Sequence, residues 1–272
     1  MTMRQVLSTR WRWLASAILV AVGWVATVRA GELVRVCTNQ ETIGAPTGEL
    51  ATQLMGHVAR QMPELRFEYT PLPWTRCLKM AERGDFDAVL AGSYSAERAR
   101  NLTYPYKADG SVDASKRMFN LGFAVIRRVG SKVVWTGSQF NHLDAPVGAQ
   151  LGYSIVEYLR SQQVEVDVGS STVASGLRKL IAGRIAAMVV NPFNFEALLY
   201  EPEFEGKLEM VVDPLIQNKP YYMILGKGFA AAHPELAPRL WKAVEAARQT
   251  AEVGNLYAKF LGQTQSSLRL KP

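Results

Sequence analysis

Apolar residues change their spacing repeatedly along residues 33–127, and each change predicts a new element. Leu33 to Cys37 is an apolar run of strand length, and Leu50, Leu54 and Val58 then recur at helical spacing between Gly48 and Gln61. Leu65 to Tyr69 alternates apolar and polar positions, as a strand with one buried face does. A helix follows that opens at Pro73 and stops at Gly84, and an apolar strand runs from Phe86 to Ala91. Proline suits a helix start and glycine a helix end. Two strand–helix–strand steps in succession predict a parallel sheet.

The alternation returns after an extended crossing, Leu121 to Arg127. Pro146 to Gln150 reads as a strand, Gly152 opens a helix from Ser154 to Ser161, and Val164 to Val168 is a second strand. Thr172 to Ala182 is a helix and Ala186 to Val190 a buried strand. The chain comes back through Tyr221 to Leu225 and finishes in an amphipathic helix with Leu236, Leu240, Val244 and Ala247 on one side. This order implies an α/β protein of two lobes joined by two crossings. Lobe 1 takes residues 31–122 and 222–272, and lobe 2 takes residues 123–221.

The first thirty residues belong to another pattern. Arg4, Arg10 and Arg12 precede an apolar run from Leu14 to Val28, and Val28-Arg29-Ala30 puts small residues where a signal peptidase cuts. The run is shorter than the roughly 20 residues needed to span a bilayer. A secretory signal peptide cleaved after Ala30 is therefore expected over residues 1–30, which places the mature chain in the periplasm. This changes the charge argument. The formal charge of +7 includes four leader arginines, Arg4, Arg10, Arg12 and Arg29, so 27 of the 31 Lys and Arg remain against 24 acidic residues, a balance of +3. No arginine-rich run survives that would suggest nucleic acid. With 48% hydrophobic residues, the remainder can bury the cores of one large or two small domains.

Cys37 ends the first predicted strand and Cys77 lies on the helix beside it. In an oxidising compartment they form either a disulfide or two buried thiols. Neither has a histidine nearby in sequence, and His57, His142 and His233 lack metal-ligand spacing, so neither a catalytic cysteine, a metal nor another cofactor is expected.

The predicted strand from Phe86 to Ala91 leads into a polar turn that delivers Arg98 at the strand's carboxyl end. Ligands bind at such ends in open α/β sheets, and a guanidinium there can hold a carboxylate through two parallel hydrogen bonds. The competing reading pairs Arg98 with Glu97 or Asp109 on the surface, where an ion pair is worth little.

Several segments, in order, carry a family resemblance: Pro73-Trp74-Thr75-Arg76, Gly84-Asp85-Phe86-Asp87-Ala88, Ser95-Ala96-Glu97-Arg98 and Tyr104-Pro105-Tyr106. Val147 to Gly152, Ala182-Gly183-Arg184-Ile185-Ala186-Ala187 and Gly254 to Phe260 continue it. The chain resembles the bacterial family 3 of extracellular solute-binding proteins, the polar amino acid ABC transporter type with a type II periplasmic binding fold. The resemblance implies a monomeric binding protein, not an enzyme, that takes a small-molecule ligand to an inner-membrane ABC permease. It also implies that Arg98 grips a ligand carboxylate with Ser93 and Ser95 beside it, that Trp74 lines the cleft, and that Ser154 assists at a helix start, where unpaired N–H groups favour an anion.

This sequence departs from the family pattern where an aspartate commonly meets the ligand's ammonium: that position is Asn191, and Ala186 replaces a second common aspartate. An amide supplies no opposing charge. Two ligand readings follow. Either Arg98 holds a carboxylate with a neutral or aromatic body, stacked on Trp74, Tyr94, Tyr153 and Phe193, or Glu41 replaces the missing acid. The alternatives to transport are a cyclohexadienyl or arogenate dehydratase of the same fold, using Glu41 or Glu196, and a sensing subunit for a membrane signalling partner.

Overall fold

The structure is a computed structural model, and it describes residues 31–259. The expected leader, residues 1–30, and Phe260 lie outside the described residues, as do the side chains of Phe193 and Glu196. Period-two burial explains the first layers. On β1 (Glu32–Asn39), Val34 and Val36 face one side of the sheet, where they meet Leu50, Leu54 and Val58 of α1 (Pro46–Gln61). Cys37 points to the other side, against Cys77 and Ala81 of α2 (Trp74–Arg83). Each buried leucine or valine contributes about 1.5–3 kcal/mol relative to exposure. The helix α2 stops because Gly84 turns left-handed, at φ 86°, a conformation that costs side-chain-bearing residues.

β1 pairs in parallel with β2 (Leu65–Leu72) and with β3 (Ala88–Ser93), as two successive crossovers predict. Next come α3 (Ala96–Ala99), β4 (Leu102–Thr103) and the long β5 (Phe119–Arg128), then a hairpin of β6 (Val134–Trp135) and β7 (Phe140–Asn141). A second parallel set is β8 (Val147–Ala149), β9 (Val166–Asp167) and β10 (Ala187–Val190). Its helices cover both faces. Ala187 and Val189 pack with Ile155 and Leu159 of α4 (Ser154–Ser161), whereas Met188 and Val190 pack with Leu177 and Leu180 of α5 (Val173–Ile181). The chain continues through α6 (Pro192–Phe195), β11 (Leu208–Gly226), α7 (Lys227–Ala232) and α8 (Leu236–Arg248), and residues 251–259 are again helical. Leu236, Leu240, Val244 and Ala247 of α8 are buried beside α1.

Of these eleven strands, nine form one continuous sheet in the order β2-β1-β3-β11-β5-β10-β8-β9, with β4 on β11. β11 and β5 pair antiparallel and join the two parallel sets. The fold is of the expected mixed α/β class, with helices flanking the sheet, and the two parallel sets share that one central sheet. Several element lengths differ from expectation, and for two of them the strand pairing gives the reason. The Tyr221–Leu225 strand is the end of a 19-residue strand whose register with β5 shifts between Val211 and Ile216 and between Ile216 and Lys219. Asp213, Pro214 and Pro220 interrupt its apolar pattern, and Pro214 and Pro220 cannot donate to a ladder, which hid the strand in the sequence. Conversely, the Val164–Val168 strand shortens to Val166–Asp167, because β8 offers it only Val147 and Gly148 as partners. Cys37 and Cys77 are disulfide-bonded, with Cα atoms 5.6 Å apart and both residues fully buried, so the bond joins β1 to α2. Among the described residues no helix is long and apolar enough to cross a membrane.

Candidate functional site

The parallel strands direct their carboxyl ends toward one region. β1 ends at Asn39, β3 at Ser93, β8 leads to Gln150 and β10 to Asn191. All four residues are buried polar side chains. The two sets run in opposite directions, because β3–β11, β11–β5 and β5–β10 all pair antiparallel, so their carboxyl ends face one another, and such ends are where ligands bind in α/β sheets. A cavity of about 510 Å³ opens there.

β3 is bent where it reaches the cavity. Its pairing with β11 slips between Val89 and Gly92, and Ala91 within the slip has φ 58°. Such a bulge turns side chains out of the regular alternation. Leu90, Ala91 and Ser93 all line the cavity as a result. Ser95 then caps α3, its hydroxyl accepting from the Arg98 backbone N–H at 3.3 Å, and the short helix carries Arg98 inward.

Arg98 is 5% exposed. Its Nη1 donates to the Ser93 carbonyl at 2.6 Å and its Nη2 to the Gly152 carbonyl at 2.5 Å, while the guanidinium carbon lies 5.4 Å from the centre of the Trp74 ring. The Tyr104 hydroxyl also donates to the Ser93 carbonyl, at 2.9 Å. Burial pushes that phenol up to about 12, partly opposed by Arg98, so it stays a neutral donor. Among the described residues no carboxylate forms an ion pair with Arg98. The surface pairing with Glu97 or Asp109 is thus overturned, because the side chain points into the protein.

Gly152 is the hub of the other wall. Its carbonyl accepts from both Arg98 and the Trp74 Nε1–H, the latter at 3.0 Å. The residue has φ 79°, and a Cβ there would lie 3.0 Å from Thr75 Cγ2, so both conformation and proximity call for glycine. Ser154 opens α4 and places its hydroxyl 2.8 Å from that of Ser93. The Asn39 amide donates to the Tyr153 hydroxyl at 2.6 Å, and the Tyr153 ring meets Trp74 edge-on at 6.1 Å. Burial, and then the nearby Glu41, raises the Tyr153 phenol well above its ordinary range.

Six of the expected residues therefore meet around the cavity: Trp74, Ser93, Arg98, Tyr153, Ser154 and Asn191. Ser95 and Glu41 do not line it. Ser95 is used as a helix cap, and Glu41 accepts a hydrogen bond from the Gln150 amide. Burial raises the Glu41 carboxyl above its ordinary range, with the Gln150 bond working in the opposite direction. Tyr94 is 38% exposed and packs edge-on against Tyr104, outside the cavity lining. Sequence reasoning missed Asn39, Tyr69, Phe119, Leu121 and Tyr221, which supply much of the lining. Asn39 was findable, since it follows the predicted strand Leu33–Cys37 by two residues, at the carboxyl end where ligands bind. Phe119, Leu121 and Tyr221 depend on the pairing of β5 with β11, for which the sequence carries no local signal, whereas Tyr69 stands on β2 beside Val36 of β1.

The sequence matches the family of bacterial extracellular solute-binding proteins, family 3, over residues 39–263. No curated protein matches it significantly by sequence. Solved structures of the same fold include a histidine kinase sensor domain with similarity to periplasmic binding proteins, 18% identical, covering 85% of this chain and 97% of its own, with a TM-score of 0.67. An ancestral arginine-binding protein bound to glutamine is 18% identical over 85% of this chain and 98% of its own, TM-score 0.62. A putative binding component of an ABC transporter from Wolinella succinogenes DSM 1740, complexed with lysine, is 15% identical over 84% and 94%, TM-score 0.62. With the family match spanning most of the described residues and the type II periplasmic binding fold shared with these structures, the chain belongs to the bacterial extracellular solute-binding proteins, family 3.

Proposed function

We propose that the protein captures a small carboxylate-bearing solute in this cavity and hands it to a membrane partner. One observation carries the reading: a guanidinium that is 5% exposed faces a cavity with no acidic side chain paired to it among the described residues. A buried charge without a countercharge is costly, and carbonyl hydrogen bonds offset only part of that cost. A bound carboxylate completes the pairing. Ser93, Ser154 and the start of α4 supply further donors, and Trp74 and Tyr153 supply ring surface for the rest of the solute.

In this reading residues 31–122 and 222–272 form one lobe and residues 123–221 the other, with closure about β5 and β11 burying the solute. The chain is exported to the periplasm by the segment ending at Ala30 and works as a monomer beside an inner-membrane ABC permease. Binding rather than catalysis is its task. A sensing role for a membrane signalling partner is the second reading, favoured by the likeness to a histidine kinase sensor domain. Both readings need the same site.

Calorimetric titration of a carboxylate ligand into Arg98→Ala tests it. Truncating one partner of a buried charge pair costs about 2–5 kcal/mol, which at about 1.4 kcal/mol per tenfold is a loss of tens to thousands of times in affinity. Unchanged affinity would remove Arg98 from the site.

A further inference from the structure

Lys219 is a cation that the site as described does not use. It lies on β11 in register with Leu121 of β5, two residues before Tyr221, which pairs with Phe119. Paired residues, and residues two apart on a strand, share one face of a sheet. Leu121, Tyr221 and Phe119 all line the cavity, and Lys219 shares their face of the sheet, next to the lining without belonging to it. The residue is half-buried and, among the described residues, makes neither a hydrogen bond nor an ion pair.

We propose that Lys219 is a second cation of this cleft, and that together with Arg98 it selects organic acids lacking an ammonium group, with a hydroxyl, oxo or second carboxylate oxygen directed at the lysine. The inference rests on the reading of Arg98 as the carboxylate anchor. Three placements support it. The position that could have countered an ammonium is Asn191, 4% exposed and uncharged. Glu41 is engaged by Gln150, and its burial favours the neutral acid. Glu49, the acidic residue in the cavity lining, is exposed on the first turn of α1, where solvent screens it.

Among the described residues, the charges facing the site are therefore mostly positive. Burial lowers Lys219 to about 8, Arg98 adds to the shift by repulsion, and Glu157 opposes it. An incoming ammonium meets the same repulsion from both cations. An anion instead favours the protonated lysine, so its affinity is full below about pH 8 and falls as pH rises through that value.

The test uses matched pairs in which a hydroxyl replaces the ammonium: phenyllactate against phenylalanine, and 2-hydroxyglutarate against glutamate. Calorimetry on the intact protein near neutral pH is expected to show the hydroxy acid of a binding pair at least about tenfold tighter, the equivalent of about 1.4 kcal/mol. Lys219→Gln should weaken the hydroxy acid by about tenfold and abolish the fall in affinity near pH 8, and Lys219→Glu should shift preference toward the amino acid. Thermal melts confirm that both variants fold, and the comparison within the native protein needs neither. Equal or tighter binding of the amino acid, sensitive to Arg98→Ala, overturns the inference while leaving carboxylate capture intact. Hydroxy-acid binding that ignores Lys219→Gln also overturns it. Failure of every acid to bind overturns both readings.

Discussion

Two carbonyl bonds and one ring hold the Arg98 side chain before any solute arrives. The Ser93 and Gly152 carbonyls fix its two terminal nitrogens, and Trp74 lies against it, so the fork is preorganised and little rotamer entropy remains to be lost on binding. Gly152 makes this possible by adopting φ 79° close to Thr75. Gly152→Ala forces a side chain into the left-handed region at a cost of about 1–2 kcal/mol and displaces the shared carbonyl. A thermal melt should drop by a few degrees and ligand affinity should fall with it. Gly228→Ala is the control, since a Cβ there meets nothing within 4 Å and the residue sits in α7. It should leave the melt unchanged or slightly raised.

Among the elements, α2 and β1 matter most because they present Trp74 and Asn39 to the cavity. The Cys37–Cys77 bond ties these elements together across a separation of 40 residues. A cross-link closing a loop of that size stabilises by about 4 kcal/mol in the chain-entropy account, although measured values scatter from about 0 to 5. The Cys37→Ala/Cys77→Ala double variant should therefore show a lower urea midpoint and a somewhat steeper slope, because its denatured chain expands and exposes more surface. Helix starts and stops in this half were legible: Pro73 and Gly84 bracket α2, and Leu50, Leu54 and Val58 mark the buried face of α1. β11 was not legible beyond Tyr221–Leu225, because its polar and proline positions are tolerated only through register shifts against β5. Phe119, Leu121, Lys219 and Tyr221 share the cavity face by that pairing, so none of them announced itself as a site residue.

For the whole molecule, the contacts between the two parallel sets converge on the cavity. Asn39 reaches Tyr153, Ser93 meets Ser154, Trp74 and Arg98 share the Gly152 carbonyl, and Gln150 reaches Glu41. Each ordinary hydrogen bond of this kind contributes a net 0.5–1.5 kcal/mol, roughly. If hinge closure governs affinity, Asn39→Ala lowers the population of the closed form and weakens binding about fivefold, with the solute still held by Arg98. Small-angle scattering would then show a larger radius of gyration for the unliganded variant than for the native protein. A fivefold loss without any change in radius would assign Asn39 to direct contact instead.

The sequence alone determined the alternation of strand and helix, the cysteine pair as neighbours, and Arg98 as a guanidinium at the carboxyl end of a strand. These are local properties, written in hydrophobic period, in proline and glycine at element ends, and in the residues that follow a strand. Tertiary structure alone decided that the two parallel sets share one sheet, that Arg98 is buried without an acidic partner among the described residues, and that Lys219 stands on the cavity face. Those facts depend on which distant segments pair and in what register, and a strand slipped by one residue exchanges its two faces.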